Sequence, residues 1–288
     1  MRRSMFILRL SVILLTGAVL ATGTARAELH FDGEVVQGGL LIGHADPGSR
    51  ITVSGDAVTV SDSGVFLVGF GRSDTDPVEV VATAPDGRVE RHTLTPRIRE
   101  YDIQRIDGLP PGKVTPPNQE VIKRIRLEGA QISAARNRDD ARTDFANGFI
   151  WPAKGRISGV YGSQRILNGK PRQPHYGVDV AAPVGTPVIA PAGGIVTFAH
   201  PDMYYSGVTV LIDHGQHLSS AFLHMSRATV TVGQRVEQGD KIGEIGATGR
   251  VTGPHLDWRM NWRDKRVDVA LLVPPMEPPT NPPPSGEQ

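Results

Sequence analysis

The chain has 288 residues, enough for two domains, and 31 basic against 30 acidic residues leave a formal net charge of +1. Four of the basic residues lie within the first 27 positions, where there is no acid, so the rest of the chain is mildly acidic. Without a basic stripe we expect no nucleic-acid partner. Cysteine is absent, which excludes disulfides, a thiol nucleophile and a Cys-ligated zinc. A hydrolytic metal site in this chain must therefore use His, Asp and Glu.

The first 27 residues have the organisation of a secretory signal peptide. A basic start precedes an apolar run from Leu10 to Ala21, which is well short of the roughly 20 residues that a bilayer span needs. Small residues on both sides of Arg26 predict cleavage after Ala27. We therefore expect an exported, periplasmic protein that contacts the membrane only through this segment before cleavage. An uncleaved membrane anchor is the alternative.

Residues 28–98 are predicted to form a small β-sandwich. Short apolar runs alternate there with turn sequences such as Asp46-Pro47-Gly48 and Pro85-Asp86-Gly87. The histidines of this region are isolated from one another, so no metal site is expected in it. The pattern indicates a docking or spacing module.

Residues 99–148 are predicted to form a linker and a helix. Prolines punctuate the chain up to Pro117, and apolar residues then recur at helical spacing from Gln119 to about Arg142. Thr115 is the expected helix cap, with Pro116 in the first turn, where proline costs little. We expect the helix to pack one apolar face on a neighbouring domain. A coiled-coil surface is the alternative.

Residues 149–270 are rich in Val, Ile and Gly and predict an antiparallel all-β domain. Its clearest strands are expected at Ile189–Thr197, Gly207–Asp213, Ser219–Met225 and His255–Trp262. Residues 271–288 are proline-rich and predict an extended, disordered tail. The predicted fold class is therefore mainly β, with an N-terminal small sandwich, a linker helix and a C-terminal antiparallel sheet.

Two short motifs place histidine and aspartate on one face of a strand. In His175-Tyr-Gly-Val-Asp179 the alternation of an extended chain puts His175, Gly177 and Asp179 on one side and the apolar residues on the other. In the same way, His255 and Asp257 face one side, and Leu256 and Trp258 face the other. An imidazole beside a carboxylate is half of a metal site. Hydrogen-bonded sheet histidines are the alternative for each motif.

The other polar and aromatic residues of this domain are expected to lie in turns, in a loop or in the core. His214 follows Asp213 at a predicted turn, where a structural histidine is expected. Arg165, Asn168 and Arg172 lie in a predicted loop before His175, which either rims a cleft or is simply solvated. The aromatic residues of this domain are expected in its core rather than in a sugar-stacking platform; they are Tyr161, Trp258 and Trp262.

The stretch from His175 to Val196 resembles the core of the lysostaphin/LytM-type zinc metallopeptidases of the cell wall, and the segments 222–225 and 249–258 resemble it in the same order. The resemblance covers residues 149–270. It implies that His175 and Asp179 are metal ligands, that His224 and His255 are catalytic, and that one Zn²⁺ is bound per chain.

The last metal ligand departs from the family pattern. The resemblance implies a final His-x-His motif whose second histidine binds the metal, and Asp257 stands at that position. A carboxylate binds Zn²⁺ at about 2.0–2.2 Å, so Asp257 is a competent ligand. A second anionic ligand reduces the Lewis acidity of the metal, and hard oxygen ligands make Mn²⁺ or a similar ion acceptable.

The resemblance implies a zinc-dependent metalloendopeptidase that hydrolyses the peptide cross-links of peptidoglycan in the periplasm, with peptidoglycan peptides as its partners. Binding to other cell-wall hydrolases is the alternative. In that case the chain is a catalytically degenerate module that activates another hydrolase.

Overall fold

A computed structural model describes residues 29–277. The predicted signal peptide and the end of the proline-rich tail, from residue 278, lie outside the described residues. The fold is mainly β, as the sequence predicts. Between residues 29 and 277 there is no helix with both the length and the apolar character that a membrane crossing requires.

The N-terminal strands form two antiparallel sheets. The strands are β1 (His30–Asp32), β2 (Leu40–His44), β3 (Arg50–Val53), β4 (Asp56–Val58), β5 (Val65–Gly69), β6 (Val78–Thr83) and β7 (Val89–Leu94). One sheet has the order β1-β2-β5 and the other β4-β3-β6-β7. Ile51 and Val80 of the second sheet and Phe66 of the first are buried in one shared cluster. Apolar burial between the two sheets therefore holds this region together.

The connecting region is joined to the C-terminal part by a strand. It contains β8 (Ile103–Ile106), α1 (Pro111–Val114) and α2 (Gln119–Arg136), and β8 pairs in parallel with a later strand at residues 164–167. The predicted cap at Thr115 is wrong, because α2 begins after the two prolines and the side chain of Asn118 accepts the Val121 N–H.

The C-terminal end of α2 also differs from the prediction. The helix ends at Arg136 rather than near Arg142. The following chain forms backbone hydrogen bonds at the end of a later strand: Gln216, just after that strand, donates its N–H to the Asp140 carbonyl, and Asp144 donates its N–H to the His214 carbonyl within the strand. These long-range bonds compete with continued helix, which residue spacing alone does not register.

The C-terminal part is dominated by one large antiparallel sheet. The elements are β9 (Arg156–Gly159), β10 (Gln164–Leu167), β11 (Lys170–Pro171), β12 (Val178–Ala181), β13 (Pro187–Ile189), β14 (Gly194–Met203), β15 (Gly207–Gly215), β16 (Leu218–Ala228), β17 (Arg235–Val236), β18 (Lys241–Ile245), β19 (His255–Trp262), β20 (Lys265–Val267) and a 3-10 turn (Val269–Leu271). The main strand order is β17-β14-β15-β16-β19-β12-β9, and β13, β18 and β20 pair at its side.

Two predicted elements of this region differ in the structure. The strand expected at Ile189–Thr197 is divided, because the chain leaves β13 at Ile189 and β14 begins only at Gly194, after a proline that has no N–H to donate. The predicted loop around Arg165 is a hairpin of β10 and β11, and β10 pairs with β8. The strand at His255–Trp262 is confirmed.

The two faces of the sheet differ in what they cover. Val180, Leu256 and Trp258 are buried in the main apolar core on one face. On the other face, Ile132 of α2 packs against a buried cluster of Leu211, Ala221 and Leu223. The helix therefore packs an apolar side chain on the sheet, as predicted. Since Leu223 lies opposite Asp257 in the strand register, α2 lies on the face that carries the polar motifs.

Candidate metal centre

Three buried side chains that the sequence pairs only within separate motifs meet at one point. His175, Asp179 and Asp257 each offer one ligand atom, and these atoms lie within 4.8 Å of one another. Nε2 of His175 is 3.1 Å from Oδ1 of Asp179 and 3.4 Å from Oδ1 of Asp257. A single imidazole nitrogen thus faces both carboxylates.

Strand register produces this meeting. β12 and β19 are antiparallel neighbours, and Asp179 stands directly opposite Asp257. The residues on either side of each aspartate point into the apolar core, so alternation forces both carboxylates to the other face. Like charges directly opposite each other destabilise a strand pair, so this arrangement requires nearby cations.

Two glycines make room for the carboxylates. A Cβ at Gly177 would collide with Oδ1 of Asp257, and a Cβ at Gly159 would collide with Oδ2 of Asp179. Gly177 lies between the two predicted ligands of its motif. Gly159 was missed, because it comes from β9, which pairs with β12 only in the folded sheet.

Each carboxylate is also held by an arginine. The Arg165 guanidinium donates to Oδ2 of Asp179 at 2.7 Å. Arg259 donates from Nε to Oδ1 of Asp257 at 3.0 Å and from its terminal nitrogen to Oδ2 at 2.6 Å. Such charge-assisted bonds orient a carboxylate. Arg259 is not among the residues predicted from the sequence, although it lies two residues beyond Asp257 and therefore on the same strand face.

These charges shift the protonation of the centre. Burial by itself would lower the pKa of His175, but the carboxylates of Asp257 and Asp179 outweigh it and raise that pKa above its ordinary value. Burial opposes ionisation of Asp257 as well, yet Arg259 and His175 hold its pKa well below the ordinary value. His175 and Arg165 likewise keep the pKa of Asp179 low. Both carboxylates are therefore anionic at neutral pH.

The donor set suits a divalent cation. Both ring nitrogens of His175 and Oδ1 of Asp179 are buried, and among residues 29–277 none of them makes a hydrogen bond of acceptable geometry, although Nε2 of His175 lies 3.1 Å from Oδ1 of Asp179. Buried polar atoms without hydrogen bonds are rare and costly, and a cation held by one ring nitrogen of His175 and by the Asp179 carboxylate would satisfy that nitrogen and that oxygen together. Two carboxylates and one imidazole are ligands that zinc accepts, and their oxygen content also suits Mn²⁺. The residues present therefore fit a metal ion.

His224 and His255 lie beside this centre. Their ring centroids are 4.9 Å apart, and Nε2 of His255 is 3.9 Å from Oδ1 of Asp179. Nδ1 of His224 is 2.9 Å from the Thr248 carbonyl, and Nδ1 of His255 is 2.9 Å from the Gly253 carbonyl. Because a carbonyl only accepts, each Nδ1 carries the hydrogen and each Nε2 offers a lone pair. Burial lowers the pKa of His224 to about 4.

The remaining predictions for this domain concern one structural histidine and three core aromatic residues. His214 lies apart from the centre and is fully buried, with its ring nitrogens bonded to the Gly193 carbonyl and the Ser220 hydroxyl. Its structural role is confirmed, but it lies in β15 rather than in a turn. Tyr161, Trp258 and Trp262 are buried, as expected.

Comparison with known proteins places these motifs in a wider group. A family model described as "Peptidase family M23" matches residues 173–269. The peptidoglycan DD-endopeptidase ShyA of Vibrio cholerae is 40% identical over 119 residues, which cover 40% of this chain and 27% of that protein. The lipoprotein NlpD/LppB homolog of Pseudomonas aeruginosa is 37% identical over 102 residues, which cover 35% of this chain and 32% of that protein.

A solved structure extends the likeness beyond the metal-site region. The crystal structure of a putative peptidase M23 from Pseudomonas aeruginosa is 31% identical, with a TM-score of 0.62. The alignment covers 83% of this chain and 94% of that chain. By contrast, the chain spans less than a third of the length of the curated relatives named above.

Proposed function

The chain belongs to peptidase family M23, and from that membership we propose that it is an exported, zinc-dependent endopeptidase that hydrolyses peptide cross-links of peptidoglycan. The observation that carries the proposal is the buried cluster of His175, Asp179 and Asp257, whose ligand atoms lie within 4.8 Å of one another. The similarity to a peptidoglycan DD-endopeptidase supports the substrate class. The predicted signal peptide supports export to the periplasm.

In this proposal His175, Asp179 and Asp257 hold the metal. The bound cation supplies Lewis acidity toward the scissile carbonyl and lowers the pKa of a water molecule. Arg165 and Arg259 each fix one carboxylate and keep it ionised. Arg259 also offsets the extra negative charge that Asp257 brings to a position where the family resemblance implies a neutral histidine.

His224 and His255 are the proposed catalytic residues. Each keeps its lone pair on Nε2, because its Nδ1 hydrogen is committed to a backbone carbonyl, and Nε2 of His255 lies 3.9 Å from Oδ1 of Asp179. Such a nitrogen takes a proton from the attacking water, and in its protonated form it donates to the developing oxyanion or the leaving amine. The low pKa of His224 keeps it neutral, and so able to accept a proton, at neutral pH.

Metal content and peptide cleavage test this function separately. Elemental analysis of purified residues 28–288, without added metal, should give about one zinc or manganese per chain, and His175→Ala should lose it. Digestion of purified peptidoglycan should release monomeric peptides from cross-linked ones. His255→Gln is the matched control, because it should keep the metal and lose cleavage. Metal-loaded protein that leaves every cross-link intact would contradict the proposal.

The second candidate is a degenerate module that binds and activates another cell-wall hydrolase. The observation that favours it is that Arg259 donates hydrogen bonds to both carboxylate oxygens of Asp257, because a guanidinium there competes with a metal for the same carboxylate. Protein that neither contains nor takes up metal, but raises the activity of a separate wall hydrolase, would select this alternative.

A further inference from the structure

A cavity of about 510 Å³ lies between α2 and the sheet, next to the metal centre. Its apolar wall consists of Ile132 from the helix and Leu211 and Leu223 from the sheet. A smaller cavity of about 140 Å³ reaches Asp179 and His255, and both cavities are lined by His224 and by two arginines, at positions 165 and 250. The larger cavity therefore adjoins the place where chemistry is proposed.

The lining of this cavity carries many more cations than anions. The arginines that line it are Arg136, Arg165, Arg250, Arg259 and Arg266. Glu128 is the acid among the lining residues, and it is engaged by Arg124 and by the backbone N–H of Tyr204. Two of the lining arginines are paired with the aspartates of the metal centre.

The other three lining arginines have no carboxylate partner among residues 29–277. Arg250 contacts the Lys113 carbonyl at 3.4 Å and lies over the Tyr205 ring. Arg266 donates to the side-chain oxygen of Asn261 at 3.4 Å. These acceptors are neutral and distant, so they satisfy little of a guanidinium's hydrogen-bonding capacity.

Arg136 is the most exceptional of the three. Its Nε is buried and has no hydrogen-bond partner in the described part of the chain. Burial, with repulsion from Arg266 and Arg259, lowers the pKa of Arg136 to about 9. The side chain as a whole is partly exposed, but a buried guanidinium nitrogen without a partner costs folding free energy, which a bound anion offsets.

We infer that this cavity binds the carboxylates of an acidic peptide whose chain continues into the metal centre. Planar guanidinium groups bind carboxylates through paired hydrogen bonds. The volume suits a short peptide segment rather than a single small ion, and the wall of Ile132, Leu211 and Leu223 suits small apolar side chains. The inference rests on the proposed function, because it names the charge that the substrate carries beside the scissile bond.

Binding of matched peptides to the metal-free protein tests this inference without catalysis. The probes are the tripeptide Ala-Glu-Ala with a free carboxyl terminus, its neutral counterpart Ala-Gln-Ala amide, and inorganic phosphate, each titrated by calorimetry. The acidic tripeptide should bind at least tenfold more tightly than the neutral one. Arg136→Gln should weaken acidic-peptide binding at least tenfold. Arg126→Gln, an exposed position on the same helix, is the matched control and should leave binding unchanged.

Thermal unfolding separates lost binding from lost folding. Because Arg136→Gln removes a partly buried charge that has no carboxylate partner among residues 29–277, its melting temperature should equal or exceed that of the unaltered protein. Equal binding of the two peptides, or unchanged binding in Arg136→Gln, would overturn the inference. Arg136-dependent binding of phosphate without binding of the acidic peptide would also overturn it. If the protein cleaves peptidoglycan but does not bind the acidic peptide, only the inference about the cavity is refuted. If it binds the acidic peptide but cleaves nothing, only the proposed endopeptidase activity is refuted.

Discussion

Replacing Arg259 by glutamine tests how the centre tolerates two facing carboxylates. The side chain of Asp257 is completely buried, and Arg259 donates to both of its oxygens. Arg259→Gln removes the cation and leaves the carboxylate opposite Asp179, with the shared imidazole of His175 as its nearest compensation. The metal-free protein should therefore lose stability.

The exposure of the Arg259–Asp257 ion pair determines how much free energy of unfolding the variant should lose. Removing one partner of a buried ion pair costs about 3–5 kcal/mol. The side chain of Arg259 remains 24% exposed, so the lower end, about 3 kcal/mol, applies. For a protein of this size, 1 kcal/mol shifts the melting temperature by roughly 2–4 °C, which predicts a fall of about 6–12 °C.

Thermal unfolding followed by circular dichroism, in the presence of a chelator, measures this fall. Arg227→Gln is the matched control, because it breaks an arginine–glutamate pair on the exposed surface and should change the melting temperature little. Added zinc should recover much of the loss in Arg259→Gln, since a bound cation also neutralises Asp257. An unchanged melting temperature in the chelated variant would refute the argument that Arg259 compensates the buried charge.

Three further predictions concern stability. Burial lowers the pKa of His214 from 6.5 to about 4. Between these two pH values the unfolded chain binds a proton that the folded chain does not, so the free energy of unfolding should fall by about 3 kcal/mol as the pH drops from 6.5 to 4. Urea unfolding between pH 7 and pH 4.5 should show a shallower decline for His214→Gln. Gly177→Ala should lower metal affinity and cost about 1–3 kcal/mol, because its Cβ collides with Asp257; metal titration and urea unfolding measure both effects. Gly129→Ala should raise the free energy of unfolding by about 0.5–1 kcal/mol, because a Cβ at this helical position meets no atom within 4 Å; a lower value would contradict it.

Local pattern determined much of the candidate site. Alternation along an extended chain is a property of successive residues, so it placed His175 with Asp179 and His255 with Asp257 before any strand partner was known. The same local rule separated the core side chains Leu256 and Trp258 from the polar face. The mainly β class followed from short apolar runs separated by turn residues.

The residues at which α2 begins and ends could not be predicted from the local sequence pattern. Residue spacing indicated a helix from Gln119, but the cap predicted from the sequence was Thr115, whereas Asn118 caps the helix. Its end at Arg136 depends on backbone bonds that Asp144 and Asp140 form with His214 and Gln216, at least 70 positions further along the chain.

Only the tertiary structure decided how the motifs combine. The register of β12 against β19 sets Asp179 opposite Asp257, the neighbouring strand β9 brings in Gly159, and β10 of the separate three-stranded sheet brings in Arg165. The position of α2 over the sheet brings Arg136 to the arginine-lined cavity. These contacts join distant parts of the chain through sheet hydrogen bonds and apolar packing, and the period of one strand or one helix carries no information about its neighbours.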